Sequence, residues 1–438
     1  MMSGMRGGAR SALSKKADRT TIGRSVDRID IGLVSLAVAV RVGYWVVFER
    51  HYTPLSDANH YDGIARNLAA GLGFSHRYPA LARHSTAFRP PGFPSLLGAL
   101  YTIFGARVAV GQCLNLALGV VVVLLVRRVA SEVGGPAAGI AAASLVAIYP
   151  PLVANDVVLL SEPLGLCLLL GAILCLLRNH FTAGAVLSGL LCLTWTSGQG
   201  FLLVVAVWVL VQVGWRKAVR FALVGMAVVL PWVIRNEIQV GTPLLVTSNG
   251  FNLAAVYSPE AQHTHRLFVD PVFNKAFGSW QFRLAQFHEA GWDRELRQLA
   301  WQGIKANPVH VVWVGVHNAA RLVEASRVAN ATADRLDGRN LTLRHDSLPL
   351  FYVVTGVGMV GIWRFRRSRA MQLLVLLACC FSAASVFTVF SPRLRAVFDL
   401  TCCIAAGALV AQLVGRSSPP RATATALPRH HRREHRAG

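Results

Sequence analysis

The sequence predicts an all-α polytopic integral membrane protein with about ten transmembrane helices. Three observations carry this reading. Of 438 residues, 54% are hydrophobic and only 15% are charged, where a soluble globular chain carries about a quarter charged residues. Long apolar runs recur at close to the ~20 residues that a helix needs to cross a bilayer. The formal net charge of +23 sits largely in short segments beside those runs, where it controls topology. The basic balance therefore points to membrane lipids as the surroundings and not to a nucleic-acid partner.

The elements follow in order. Residues 1–28 form a basic cytoplasmic tail containing Arg6, Arg10, Lys15, Lys16, Arg19, Arg24 and Arg28. No small-residue cleavage site follows the first apolar run, which reads as an uncleaved signal anchor. Expected spans are roughly 29–48, 106–126, 135–150, 159–177, 181–196, 199–213, 217–234, 347–363, 371–390 and 396–415. With the N-terminus inside, Arg127, Arg128, Arg178, Arg216, Lys217, Arg220, Arg364, Arg366, Arg367 and Arg369 fall on cytoplasmic connections. The alternate connections at 151–158 and 197–198 lack lysine and arginine, and only the loop at 391–395 breaks the pattern. Positive-inside bias thus places both ends in the cytoplasm.

This topology divides the chain into a transmembrane region, 29–234, with a first external loop at 49–91, a large external loop with interfacial helices at 235–345, and C-terminal transmembrane helices at 346–415. Residues 416–438, with "RHHRREHR", have the composition of a disordered basic cytoplasmic tail. Two apolar stretches read as less than full spans. "GFPSLLGALYTIFGA" (92–106) follows Arg89-Pro90-Pro91 as a partly inserted helix. "PVHVVWVGVHNAARLVE" (308–324) carries two histidines, an asparagine and a glutamate and belongs at the interface.

All eight cysteines lie in apolar segments, without a loop pair or histidines at ligand spacing. They predict neither disulfides nor a zinc site. In the first loop, Ser56 is placed to cap a helix running to about Ala70, with Gly71 ending it. Tyr61, Ile64, Ala65, Leu68 and Ala69 then share one face, expected to press into the membrane interface. Asp57 lies in the first turn, where the helix dipole favours an anion. His60 and Asp62 stand at i+3 and i+5 from Asp57 and do not all face one way, so the sequence supports no divalent metal there and no other cofactor.

Charges near hydrocarbon are costly, so their placement is informative. Asp57, Asp156, Glu162, Arg235, Asn236, Arg393, Arg395 and Asp399 all fall at or near the external side of this topology, and Arg41, inside the first span, does not. Their gathering from distant loops predicts one external polar cavity.

At this point the chain resembles a known group. "SDANHYDGIARNLAAGLGF" followed by "TAFRPPGFPSLLGALYTIFG" resembles the first external loop of polyprenyl-phosphate-dependent glycosyltransferases. These belong to the glycosyltransferase C superfamily, in the branch related to protein O-mannosyltransferases and aminoarabinose transferases. "LLSEPLGLCLLLGAIL", "PWVIRNEIQVGTPLLVTSNGFNL" and "SPRLRAVFDLTCCIAAGAL" are similar to later motifs of that group and occur in its order, across about residues 29–415. The family's Asn-Gly-Gly is here Asn249-Gly250-Phe251, and where many relatives carry an arginine this chain has Trp195, Ser197 and Gln199.

The resemblance implies an inverting glycosyltransferase of the bacterial plasma membrane, a hexosyl- or pentosyltransferase with an external active site that serves cell-envelope biogenesis. Its donor would be a polyprenyl-monophosphate sugar, and its acceptor an envelope glycan, lipid or protein. Asp57 matches the family's catalytic acid, proposed as general base for the acceptor hydroxyl. Arg89, Arg235, Arg393 and Arg395 are candidates to face the leaving phosphate, with Arg235 and Arg393 ranked first. Tyr61, Glu162 and Asn236 complete the substrate-binding set. The competing class is a transporter or flippase for a lipid-linked solute, which would favour pseudo-symmetric halves and ionisable residues at mid-membrane. This chain shows no internal repeat, and apart from Arg41 its ionisable residues gather on the external side.

Overall fold

The computed structural model describes residues 28–77, 82–278 and 288–417. Most of the basic N-terminal tail, nearly all of the C-terminal one and the start of "FRLAQFHEAGWDRELRQLAWQGIKA" lie outside them. The described residues are mainly helical, and their one sheet is an antiparallel pair, β1 (Ser75–His76) with β2 (His84–Ser85), in which Ser75 faces Ser85.

Among the described residues, six helices are long and apolar enough to cross a membrane: α1 (Arg28–Glu49), α4 (Val108–Gly134), α10 (Trp215–Val240), α16 (Leu341–Phe365), α17 (Arg369–Val386) and the segment Pro392–Gly415, whose α-helical part is α18 (Ala396–Ser417). A seventh is a broken span, α5 (Pro136–Ile148) joined at a 60° bend to α6 (Pro150–Val153) and its 3₁₀ extension to Asp156. The other three expected spans are helical but shorter: α7 (Glu162–Leu177), α8 (Phe181–Cys192) and α9 (Gly198–Val213). At 1.5 Å per residue, the 12 residues of α8 reach about 18 Å, short of the ~30 Å hydrocarbon layer. The difference arises where Leu193–Ser197 leaves the helix, and Thr194, Trp195, Thr196 and Ser197 turn toward the cavity described below.

Small residues bring the spans together. A Cβ on Gly361 would lie 2.3 Å from the Ala405 carbonyl oxygen, and one on Gly358 would lie 2.8 Å from Cys402. The α16 backbone can therefore lie directly on α18, a contact that dispersion and close backbone approach stabilise in place of hydrophobic exclusion. On its other side, Gly407 of α18 meets Ala142 of α5 in the same way. These contacts fix the start of α18, and with it the turn Pro392–Arg395.

The first loop folds onto protein. Helix α2 (Ser56–Ala69) ends as expected: Gly71 has φ +72°, its N–H donates to Leu68 O, and the Leu72 N–H donates to Asn67 O at 2.8 Å. Its start corrects the expectation, because Ser56 makes no capping bond and is itself left-handed at φ +47°. Its apolar face is also a correction. Tyr61, Ile64 and Ala65 are buried. Tyr61 and Ala65 pack with Phe93, Leu97 and Tyr101 of α3 (Gly92–Phe104) and with Val158–Leu160, so the face seals a protein core in place of meeting lipid.

The large loop supplies α11 (Ser248–Tyr257), α12 (Pro259–His263), α13 (Glu289–Ala306), α14 (Val309–Leu322) and α15 (Arg327–Leu336). A Cβ on Gly250 would sit 2.1 Å from the Asp293 carbonyl oxygen, so α11 can approach α13 only with glycine there. The next position, where the resembled motif has a second glycine, is Phe251, which packs its ring against Phe88 and Trp292 at 5.6 and 5.9 Å. Helix α14 lies against the end of α17, where Asn318 donates to the carbonyls of Val386 and Thr388 at 3.1 and 3.2 Å.

Candidate active site

Between the first loop, the large loop and the ends of α7, α8 and α17 lies a cavity of about 1640 Å³. It combines two chemistries. One part is polar, with Asp57, His60, Tyr61, Arg89, Ser161, Glu162, Asp337 and Arg393 on its walls. The other is bounded by Trp195, Phe381, Ala384, Thr388, Val389 and Trp313.

Asp57 stands at the centre of the polar part. Its Oδ1 accepts from Arg89 and its Oδ2 from Arg393. Burial pushes its carboxyl up, but the guanidinium groups of Arg89 and Arg393 outweigh burial and hold it well below the usual carboxylate range. Asp57 is thus an anion throughout the neutral range, with lone pairs still open toward the cavity. His60, read from the sequence only as an unsupported metal ligand, accepts from Arg89 Nε at 3.2 Å through Nδ1. Burial, then the Arg89 charge, pull its pKa well below the usual histidine value, so its ring is neutral. Asp62 points elsewhere, to Arg66 at 2.6 Å and the Tyr101 hydroxyl at 2.6 Å.

Arg89 is held by its own loop. Glu289 accepts from the Thr247 hydroxyl at 2.5 Å, the Ala87 N–H at 2.7 Å and His84 at 2.8 Å, pinning the strand before Arg89 to α11 and α13. From the other side Arg235 donates to Thr86 O at 2.7 Å and Phe74 O at 2.8 Å while lying over the Trp232 ring. Arg235, ranked first for the leaving phosphate, is therefore committed to backbone carbonyls and does not line the cavity. Asn236 likewise donates to Leu244 O at 2.8 Å.

The single cavity expected from the sequence is in fact three separate buried charge groups. Asp57, Tyr61, Arg89, Glu162 and Arg393 are brought together. Asp156 instead pairs with Arg41 at 2.7 Å, which accounts for the arginine inside the first span. Arg395 pairs with Glu324 at 2.5 Å and Asp399 at 3.1 Å, beneath the cavity wall. Burial drives this sorting, because a buried charge without a partner costs several kcal/mol and these charges pair with counter-charges close by.

Two residues outside the expected set complete the site. Asp337 follows α15, accepts from Ser391 Oγ, and pairs with Arg393 Nε at 3.2 Å. Arg321 lies on α14 with its guanidinium over the Phe390 ring, bonded only to the neutral amides of Asn330 (3.1 Å) and Asn318 (3.3 Å), and it forms no ion pair among the described residues. Burial lowers its pKa to about 10, and Glu324 and Asp334 pull the other way, so it stays charged at neutral pH. A sequence signal existed: Trp313, His317 and Arg321 recur every four residues along α14, and all three line the cavity.

Burial raises the Asp337 carboxyl to about 6, against the opposing charge of Arg393. The folded state then binds more protons than the unfolded one between about pH 4 and 6, so this group makes stability fall as pH rises through that window. The slope integrates to roughly 3 kcal/mol for a shift of this size. Asp337→Asn is expected to flatten the fall in a detergent melting series between about pH 4 and 6, and an unaltered slope would refute the assignment.

No family model matches the chain, and no curated protein sequence matches it. Solved structures do. The chain is similar to the archaeal oligosaccharyltransferase AglB from Archaeoglobus fulgidus in complex with an inhibitory peptide and a dolichol-phosphate, at 16% identity and a TM-score of 0.52, over 88% of this chain and 50% of that one. The apo form of the Archaeoglobus fulgidus oligosaccharyltransferase gives 14% identity and 0.50, over 89% and 50%. The fold is that of the glycosyltransferase C superfamily. This chain spans about half the length of the archaeal enzyme. ArnT from Cupriavidus metallidurans bound to undecaprenyl phosphate is also similar, at 15% identity and a TM-score of 0.42, over 87% of this chain and 78% of that one. Within the glycosyltransferase C fold of this chain, the polar cavity opens beside α2 and the turn Pro392–Arg395.

Proposed function

We propose that the protein is an inverting glycosyltransferase that moves a sugar from a polyprenyl-monophosphate donor to an envelope glycan, lipid or protein. The observation that carries the reading is an ionised, arginine-held carboxylate, Asp57, in a cavity lined by both charged and apolar side chains. Such a cavity suits a ligand with a charged head and a hydrocarbon tail. The likeness to a structure holding dolichol-phosphate and the fold support the same class of donor. Positive-inside bias supports an external site in a bacterial plasma membrane.

In this reading the lipid tail lies along Trp195, Phe381 and Ala384, and the phosphate meets Arg321, a cavity arginine that no carboxylate neutralises among the described residues. The acceptor enters past Asn249, Asn252 and Arg266. Its hydroxyl oxygen bonds to the anomeric carbon as the bond from that carbon to the phosphate oxygen breaks, the electron pair leaving on the phosphate. The hydroxyl proton passes to Asp57. A carboxylate of low pKa serves because the anomeric centre is already oxocarbenium-like when the proton moves. Displacement from the opposite face inverts the anomeric configuration.

Purified protein is to be assayed for transfer from polyprenyl-phosphate sugars, with envelope glycans and lipid-phosphate sugars of a deletion strain profiled by mass spectrometry. Protein that only moves such lipids between leaflets would instead be a flippase. Arg321→Ala is expected to raise the donor KM by about tenfold or more, as for loss of a charge-assisted bond worth ~1.5–3 kcal/mol. An unchanged donor KM would remove Arg321 from the phosphate site.

A further inference from the structure

Three carboxylates from distant parts of the chain meet one guanidinium. Asp57 from α2 takes Arg393 Nη2, Glu162 from the first turn of α7 faces Nη1 at 3.3 Å, and Asp337 faces Nε at 3.2 Å. Arg393, Glu162 and Asp337 are each less than 10% exposed. Buried carboxylates converging from separate segments repel one another and require a cation between them. Hard oxygen ligands of this kind ordinarily take a divalent ion such as Mg²⁺ or Mn²⁺. Here the chain places its own cation in that seat, and each nitrogen of the planar group faces a different carboxylate. Among the described residues no three His, Cys, Asp or Glu side chains stand close enough to share a metal ion, because the guanidinium spaces these three apart.

We propose that Arg393 is the built-in cation of this site, seated where a divalent metal ion would otherwise be required, so that Asp57 is held and oriented without one. A guanidinium carries a permanent single charge and directional N–H donors, and it offers no exchangeable coordination position. Chelators cannot remove it. Its backbone is fixed by the neighbouring Arg395, clamped to Glu324 and Asp399. Arg393 acts through Asp57, as a positioning residue.

The test is an electron paramagnetic resonance titration of the full chain in detergent with Mn²⁺. Wild type and Glu162→Gln are expected to titrate identically, because neither offers a vacant seat. Arg393→Ala vacates it and is expected to bind Mn²⁺ about tenfold more tightly or better, since a positive charge next to the ion has been removed. Asp337→Asn in that background reverses the gain, and added guanidinium displaces the ion. Mn²⁺ binding by wild type that Glu162→Gln abolishes would overturn the proposal, as would an Arg393→Ala protein that folds and gains no affinity.

If Arg393→Ala does not fold, the wild-type and Glu162→Gln pair decides the matter. A second readout rests on the glycosyl-transfer reading: chelation with EDTA leaves the wild-type rate unchanged, and a rate lost to EDTA and restored by Mn²⁺ counts against the built-in cation. Absence of any transfer would sink the proposed function alone, since the Mn²⁺ titrations do not depend on it.

Discussion

Asp57→Asn lowers the rate of sugar transfer by about 10²–10⁴-fold, the usual contribution of a positioned general base. Asparagine keeps the side-chain volume and one oxygen acceptor but cannot take the acceptor proton. The loss is expected in kcat, with a smaller change in the donor KM, because the lipid groove and Arg321 are untouched. Wild-type activity is expected to show no acid limb from Asp57 above about pH 4, since Arg89 and Arg393 hold its carboxyl below the usual range. A variant that transfers sugar at the wild-type rate would show that the base lies elsewhere. Its melting temperature in detergent separates lost chemistry from lost fold, because removing one carboxylate leaves Arg89 and Arg393 facing each other.

Glu324→Gln destabilises the protein by about 3–5 kcal/mol, the cost of breaking a buried ion pair from one side. Glu324 is 1% exposed and receives Arg395 Nη1 at 2.5 Å, Arg344 and the Asn330 amide at 2.9 Å. It also sits at φ +62°, a left-handed conformation that a non-glycine residue adopts only where its surroundings hold it. Asp334 extends the cluster to Arg339 at 2.7 Å and Arg344 at 2.6 Å. The network ties the large loop to the turn that carries Arg393, so its loss is expected to loosen the site as well as the fold. Thermal melting in detergent measures the first effect. A melting point equal to that of wild type would mean that the cluster is solvated and contributes little.

Much of the architecture was legible from composition and periodicity. The ten apolar runs are helices, the helix after Ser56 ends at Gly71, and the glycosyltransferase C motifs led to the fold that the structure has. Asp57, Tyr61, Arg89, Glu162 and Arg393 were singled out one at a time and do share a cavity. What failed was the pairing of charges. Arg235 read as the equal of Arg393, with Arg395 as a further candidate, since an arginine near a span end looks the same whether it faces a substrate, a carbonyl or a carboxylate. His60 was weighed only as a metal ligand, although it lies one turn from Asp57 and accepts from Arg89. Asp337 was hidden in a loop whose polar composition made no position stand out, and Arg321 was legible only through its four-residue spacing from Trp313 and His317.

The sequence by itself determined the membrane class, the helices and the identity of the carboxylate at the head of α2, because hydrophobic runs and local helix chemistry act over a few neighbouring residues. Only the tertiary structure decided which guanidinium serves which anion. That choice joins Asp57 to Arg393 across 336 positions of the chain and Arg41 to Asp156 across 115. Ion pairing in a water-poor interior depends on distances of a few ångströms, and those distances exist only once α16 has closed on α18 and the first loop has packed onto α3.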